Sequence, residues 1–342
     1  MSEKYSVIQV GLGPMGKIVA KLFLKRKNIH LRSVVDIDPN LREKKLNSIL
    51  NIEEGSKISV EPELEIALSK YKADVVFIAT SSSLGKVAPL IQQAIKSGSN
   101  VVSLCEELSY PFQNYPKLSG ELDALAKSKN VSVVGTGINP GYLMDLLPIV
   151  ITAPCQRVEY IKVTRMINSA KRREPFQRKI GTGLTPQEFH EKLNKKVITG
   201  HVGLIQSIQM IDEALGFKCD KIKEYPSKEI ISEKDFTSSY GEFVPKGYVC
   251  GLQSKALAKK DGKERIFLEF IAYADNPEEY DSIIIEGIPR IYQKIIGGVH
   301  GDLGTAAIVV NLIPKVVNAR SGLLTMKDLP VPCYTENILK HY

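Results

Sequence analysis

The chain has 342 residues, more than one compact domain usually holds, so two domains that each bury a core are expected. Lys and Arg total 46 against 38 Asp and Glu, a net charge of +8, but the cations are interspersed with acids, which argues against a nucleic-acid partner. Five scattered cysteines without CxxC spacing read as reduced thiols, and with no apolar leader or membrane-length apolar run the expectation is a cytoplasmic protein with no membrane partner.

The first strand, Tyr5 to Val10, runs straight into Gly11-Leu12-Gly13-Pro14-Met15-Gly16 and then into a helical pattern with apolar Ile18, Val19, Leu22 and Phe23. At such a strand-to-helix turn Gly11 allows the tight turn, Gly13 opens the backbone to a pyrophosphate, and Gly16 lets helix and strand pack closely. A second strand, Leu31 to Val35, ends at Asp36, where a carboxylate accepts hydrogen bonds from adenosine ribose hydroxyls. A charged helical stretch from Leu41, a helix from Glu63 and the apolar run Ala73 to Thr80 follow. Next come a helix Lys86 to Ser97, a strand Val101 to Leu104, a helix Leu118 to Lys129 and a strand Val131 to Val134. Alternation of this kind predicts a doubly wound parallel sheet of Rossmann type over residues 1–138. Ligands bind beyond the carboxyl ends of such strands, which singles out Thr80-Ser81-Ser82-Ser83, Cys105-Glu106-Glu107 and Gly135 to Gly141.

From about Tyr142 the pattern changes, and residues 139–299 read as a second, α+β domain with a mostly antiparallel sheet. Strand-like Val158 to Val163 precedes a helix opened by Thr185-Pro186-Gln187-Glu188, a capping box, and a second helix from His201 to Leu215. Alternating segments Tyr248 to Ala258 and Glu264 to Ala274 meet at Asp261-Gly262, a hairpin signal, and a strand Ser282 to Glu286 follows. A helix Leu303 to Val317 and the tail make up residues 300–342 and are expected to return to the first domain. Lys171-Arg172-Arg173, the densest cationic cluster, reads as a solvated loop.

Glu106 and Glu107 are neighbours whose side chains diverge, so one can face a cleft while the other turns to solvent or a helix terminus. A carboxylate in a partly dehydrated cleft can act as general acid or base and attracts a cationic amine or iminium. Asn139, held extended by Pro140, is a candidate for the nicotinamide carboxamide or a substrate polar group, with a turn role equally open. Arg165 is a candidate for a substrate carboxylate, and His201 and His300 follow glycines at element starts. No spacing suggests a metal site.

Cys105-Glu106-Glu107-Leu108-Ser109-Tyr110-Pro111, Gly135-Thr136-Gly137-Ile138-Asn139-Pro140-Gly141, Gly200-His201-Val202-Gly203, Gly298-Val299-His300-Gly301-Asp302 and Gly322 to Pro330 together resemble the 2,4-diaminopentanoate dehydrogenases and the related native amine dehydrogenases. The resemblance spans nearly the whole chain. It implies oxidative deamination of the 4-amino group of 2,4-diaminopentanoate to 2-amino-4-oxopentanoate and ammonia, reversible as reductive amination of ketones. It also implies a homodimer. In that reading Glu106 is the catalytic carboxylate with Glu107 in reserve, and Asn139, Arg165, Asn168 and His201 bind the substrate. Gly11 to Gly16, Asp36, Ile37, Arg42, Ala79 to Ser82, Asn139 and His300 hold the cofactor. Asp36 favours NAD by repelling a 2′-phosphate, whereas Arg42 offers that phosphate a partner, so NADP is tolerated. The alternatives are an imine reductase like dihydrodipicolinate reductase and a non-catalytic NAD(P)H-binding sensor.

Overall fold

The computed structural model describes residues 4–335 except 56, 196, 199, 200 and 275. Two compact units emerge: one runs to Tyr142 and resumes at His300, and the other is Leu143–Val299. In chain order the first unit opens with β1 (Tyr5–Val10), α1 (Pro14–Lys25), β2 (Ile29–Val35), α2 (Leu46–Leu50), β3 (Val60–Glu61) and α3 (Leu64–Lys70). It continues with β4 (Val75–Ile78), α4 (Leu84–Lys96), β5 (Asn100–Ser103), α5 (Pro116–Ser128) and β6 (Ser132–Gly135). The second unit contains α6 (Leu146–Ile151), β7 (Arg157–Asn168), α7 (Glu174–Lys179), α8 (Pro186–Asn194), α9 (Leu204–Leu215) and β8 (Lys221–Ile231). After these come β9 (Phe236–Thr237), β10 (Phe243–Val244), β11 (Val249–Lys260), β12 (Lys263–Tyr273), β13 (Tyr280–Ile288) and β14 (Ile291–Ile296). The chain then re-enters the first unit as α10 (Gly301–Val317) and β15 (Gly322–Leu324).

The first unit is built on a seven-stranded sheet in the order β15-β6-β5-β4-β1-β2-β3, parallel throughout. All four residues of β4 are buried, as a strand covered by helices on both faces requires. One side packs Ile8, Val10, Val76, Ile78, Val101 and Val133 against Leu84, Val87 and Ile91 of α4. Phe23 of α1 meets Phe77 edge-on at 5.7 Å. Each such side chain contributes about 1.5–3 kcal/mol by leaving water. The Ser132 hydroxyl donates to the Val316 carbonyl at 2.8 Å and ties α10 to β6. Strand order reverses at β1, and its carboxyl end is therefore the switch point where such sheets take ligands.

The second unit carries a six-stranded sheet in the order β14-β13-β7-β12-β11-β8. Alternate residues Ile161, Val163, Ala256, Ala258, Ile266, Leu268, Ile283 and Ile285 pack on Leu204, Ile208 and Ile211 of α9. The capping box at Thr185 and Glu188 forms, and Asp261 and Gly262 take left-handed φ values of 51° and 76° in the β11–β12 hairpin.

Several expectations are corrected. The charged stretch from Leu41 is turn as far as Leu46, because Glu43 sits at φ 60° and Lys45 bridges to Ser59. The helix expected from His201 starts at Leu204, since Gly203 takes φ 111° at its N-cap. The second sheet is mostly antiparallel, as expected, with the long pair β7 and β12 running parallel within it. Arg172 is buried over the Phe176 ring at 4.7 Å instead of solvated. No helix of the described residues is long and apolar enough to cross a membrane.

Candidate active site

At the carboxyl end of β1 the glycine turn is shaped by close approach. Gly11 has φ 102°, and a Cβ there would stand 2.6 Å from the Ala79 carbonyl oxygen and 3.2 Å from the Thr80 methyl. A Cβ on Gly16 would collide with the Gly11 carbonyl, whereas one on Gly13 would meet nothing within 4 Å. Gly13 is also the N-cap of α1, with no side-chain cap and Pro14 in the first turn. First-turn N–H groups therefore face open space, which is what an anionic pyrophosphate requires.

Gln9 holds this turn from below. It is fully buried, and its Nε2 donates to the carbonyls of Gly11 at 2.9 Å and Gly16 at 2.8 Å. Sequence reasoning missed it, although a lone amide in an apolar strand just before the glycines was a usable signal. Asp36 is fixed as well: its Oδ2 accepts from Leu12 N–H at 2.6 Å and its Oδ1 from Asp38 N–H at 2.9 Å. Each oxygen keeps a lone pair for a ribose hydroxyl. Ile37 is 91 % exposed beside it, an apolar surface for an adenine ring, while Arg42 is exposed and 3.9 Å from Glu43.

The loops after β4 and β5 are joined to each other. The Cys105 thiol lies 3.1 Å from the Ser82 carbonyl, Glu107 N–H donates to that carbonyl at 3.4 Å, and Glu107 Oε2 accepts from Leu84 N–H at 2.7 Å. Burial first, then hydrogen bonding to Glu107, pushes the Tyr115 hydroxyl up to about 12. Burial likewise pushes the Cys105 thiol up to about 12, so it stays protonated and inert. Glu106 and Glu107 share a short 3-10 turn and are both half-buried, but the Glu106 carboxylate has no hydrogen bond among the described residues. A Cβ on Gly135 would lie 2.5 Å from the Leu108 backbone, so a glycine there lets the end of β6 seat this turn. Asn139 lies beyond β6 with its Oδ1 buried and unpartnered, an acceptor of the kind a carboxamide N–H would satisfy. His300 is exposed and caps α10, its Nδ1 accepting from Leu303 N–H at 3.4 Å, which leaves the proton on Nε2.

In the second unit the substrate candidates Arg165, Asn168 and His201 each make contacts within the fold. Arg165 is 2 % exposed, lies 3.5 Å from Asp281, and donates to the Val299 carbonyl at 2.6 Å, while Asp281 accepts from Val299 N–H at 2.8 Å. Burial lowers the Arg165 pKa and raises that of Asp281, so desolvation outweighs pairing for both. Nη1 of Arg165 makes the ion pair with Asp281 and no hydrogen bond, and it borders a cavity of about 10 Å³, also lined by Asp281 and Gln293, with room for one water. Asn168 caps the next turn by accepting from Ala170 N–H at 3.0 Å and donates to the Asn276 carbonyl at 3.1 Å. His201 stacks on Phe270 with centroids 4.4 Å apart; burial first, then the charges of Lys179 and Arg165, pull it down to about 3, so it is neutral. Gly200, its neighbour in the motif, lies outside the described residues.

The model of the 2,4-diaminopentanoate dehydrogenase C-terminal domain matches residues 142–341. A 2,4-diaminopentanoate dehydrogenase of Acetoanaerobium sticklandii is 36% identical over 336 residues, covering 96% of this chain and 94% of that protein. The chain belongs to the 2,4-diaminopentanoate dehydrogenase family.

An amine dehydrogenase of Streptomyces virginiae is 22% identical, covering 95% of this chain and 96% of its own. Among solved structures, an amine dehydrogenase from Mycobacterium smegmatis shares the fold with a TM-score of 0.84 at 22% identity over 98% of both chains. As a member of the 2,4-diaminopentanoate dehydrogenase family, this chain is an oxidoreductase. Its uncapped α1, open Gly13 surface and unpartnered Asn139 Oδ1 fit a nicotinamide dinucleotide.

Proposed function

We propose that the chain oxidatively deaminates 2,4-diaminopentanoate at C4, preferring NAD. Substrate, oxidised nucleotide and water give 2-amino-4-oxopentanoate, reduced nucleotide, ammonia and a proton. The substrate rests on the family match and on the 36% identical relative. When bound, the nicotinamide supplies the acceptor for the hydride that leaves the amine-bearing carbon. The Gly13 to Met15 backbone and Asp36 would hold its dinucleotide, and the position of Asp36, fixed by two N–H groups, favours a free 2′-hydroxyl.

Glu106 carries the proton chemistry in this reading. Its carboxylate takes a proton from the water that adds to the substrate's C=N carbon and returns it to the departing nitrogen, and its charge attracts the cationic carbon–nitrogen group. The observation that carries the assignment is the contrast between neighbours: Glu107 is bonded to Leu84 N–H, and the Glu106 carboxylate makes no hydrogen bond among the described residues. The test is incubation with 2,4-diaminopentanoate and NAD or NADP, with reduced nucleotide and ammonia both quantified. Equal amounts of the two, formed faster with NAD, are expected; reduced nucleotide without ammonia contradicts deamination.

A further inference from the structure

Glu107 and Glu106 are adjacent and chemically identical, yet their surroundings differ. Glu107 Oε2 accepts from Leu84 N–H, the first residue of α4, at 2.7 Å. That helix needs an outside partner, because Ser83 at its N-cap makes no side-chain cap. The Ser81 hydroxyl instead accepts from Ser83 N–H at 3.2 Å, within the same loop. Glu107 therefore caps a helix from another segment, and a carboxylate at that end also complements the helix dipole. The Tyr115 side chain, from the residue just before α5, lies near enough to the same carboxylate for that charge to help raise its hydroxyl pKa. On the backbone side, Glu107 N–H and the Cys105 thiol both reach the Ser82 carbonyl. One residue thus ties the loop after β4 to the turn carrying Glu106.

We propose that Glu107 is a positioning residue: it fixes the Glu106 turn against the Ser81–Ser83 loop and takes no proton in the reaction. The proposal rests on the assignment of proton transfer to Glu106. If Glu107 only positions, its amide should largely replace it, since an amide oxygen still accepts from Leu84 N–H. Truncation should not be tolerated in the same way.

The experiment compares Glu106→Gln, Glu107→Gln, Glu107→Ala and Tyr115→Phe in the full chain. It reads kcat and its pH profile for ammonium-dependent NADH oxidation with 2-amino-4-oxopentanoate, together with NADH affinity and melting temperature. Glu107→Gln is expected to stay within about threefold of the parent kcat, while Glu107→Ala falls about tenfold and binds NADH more weakly, in line with the loss of a helix cap. Tyr115→Phe should fall less than Glu107→Ala. The limb of the pH profile set by the catalytic carboxylate should survive in every Glu107 variant and vanish in Glu106→Gln. A Glu107→Gln variant as inactive as Glu106→Gln, or one that loses that limb, overturns the proposal, as does a Glu107→Ala variant equal to the parent. Should Glu107→Ala not fold, Glu107→Gln and Tyr115→Phe decide. A fully active Glu106→Gln would refute the Glu106 assignment instead, and NADH affinity in the Glu107 variants would still report positioning.

Discussion

Replacing Asp281 by Asn should destabilise the second unit strongly. Asp281 is the acid 3.5 Å from Arg165, a guanidinium only 2 % exposed that also feels the charge of Arg172. Removing one member of a buried pair leaves the other uncompensated, at a cost of about 3–5 kcal/mol. A domain of this size loses roughly 2–4 °C of melting temperature per kcal/mol, so a fall on the order of 6–20 °C is expected. Arg165→Met should do similar damage by stranding the carboxylate. Because burial opposes both charges, the double variant Arg165→Met/Asp281→Leu should recover most of the loss. Thermal denaturation of the four proteins, with KM for 2-amino-4-oxopentanoate measured alongside, checks this. Arg165→Met with a parental melting temperature and a KM raised a hundredfold would refute the reasoning, for Arg165 would then be a substrate ligand and not a buried structural cation.

Two other outcomes follow from the same geometry. Asp36→Ser should narrow the preference for NAD over NADP by on the order of tenfold in kcat/KM, because a carboxylate near a 2′-phosphate repels it by a few kcal/mol before screening; an unchanged ratio would show that Asp36 does not face the ribose. His201, held down to about 3 by burial and by Lys179 and Arg165, binds no proton in the folded chain where the unfolded chain does. Between its ordinary value near 6.5 and that lowered value, stability must therefore fall as pH falls. Denaturant midpoints at pH about 7 and about 5 should differ less in His201→Gln than in the parent, and equal differences would show that the fold does not hold His201 neutral.

Local signals made the first unit legible. The glycines at 11, 13 and 16, the acid ending β2 and the buried run of β4 each act within a few residues, and so do the Thr185–Glu188 box and the Asp261-Gly262 hairpin. What stayed hidden depends on distant partners. The three residues of β15 form a strand only because β6 offers them an edge, and β8 carries Pro226 and a polar, mostly exposed sequence that lacks alternation. Parallel pairing of β7 with β12 follows from topology, not from either strand's composition. At the site, sequence pointed to Glu106 and Glu107 together; what separates them is a bond from Glu107 to Leu84, on a different loop. Arg165 looked available for substrate because Asp281, which engages it, lies far along the chain.

The most direct measurement is NADH oxidation with 2-amino-4-oxopentanoate, with and without ammonium, for the parent and Glu106→Gln. Turnover that requires ammonium and falls at least a hundredfold in Glu106→Gln is expected, the upper part of the range for losing one acid–base group. Turnover without ammonium, or an undiminished Glu106→Gln, would contradict amine dehydrogenation through that carboxylate.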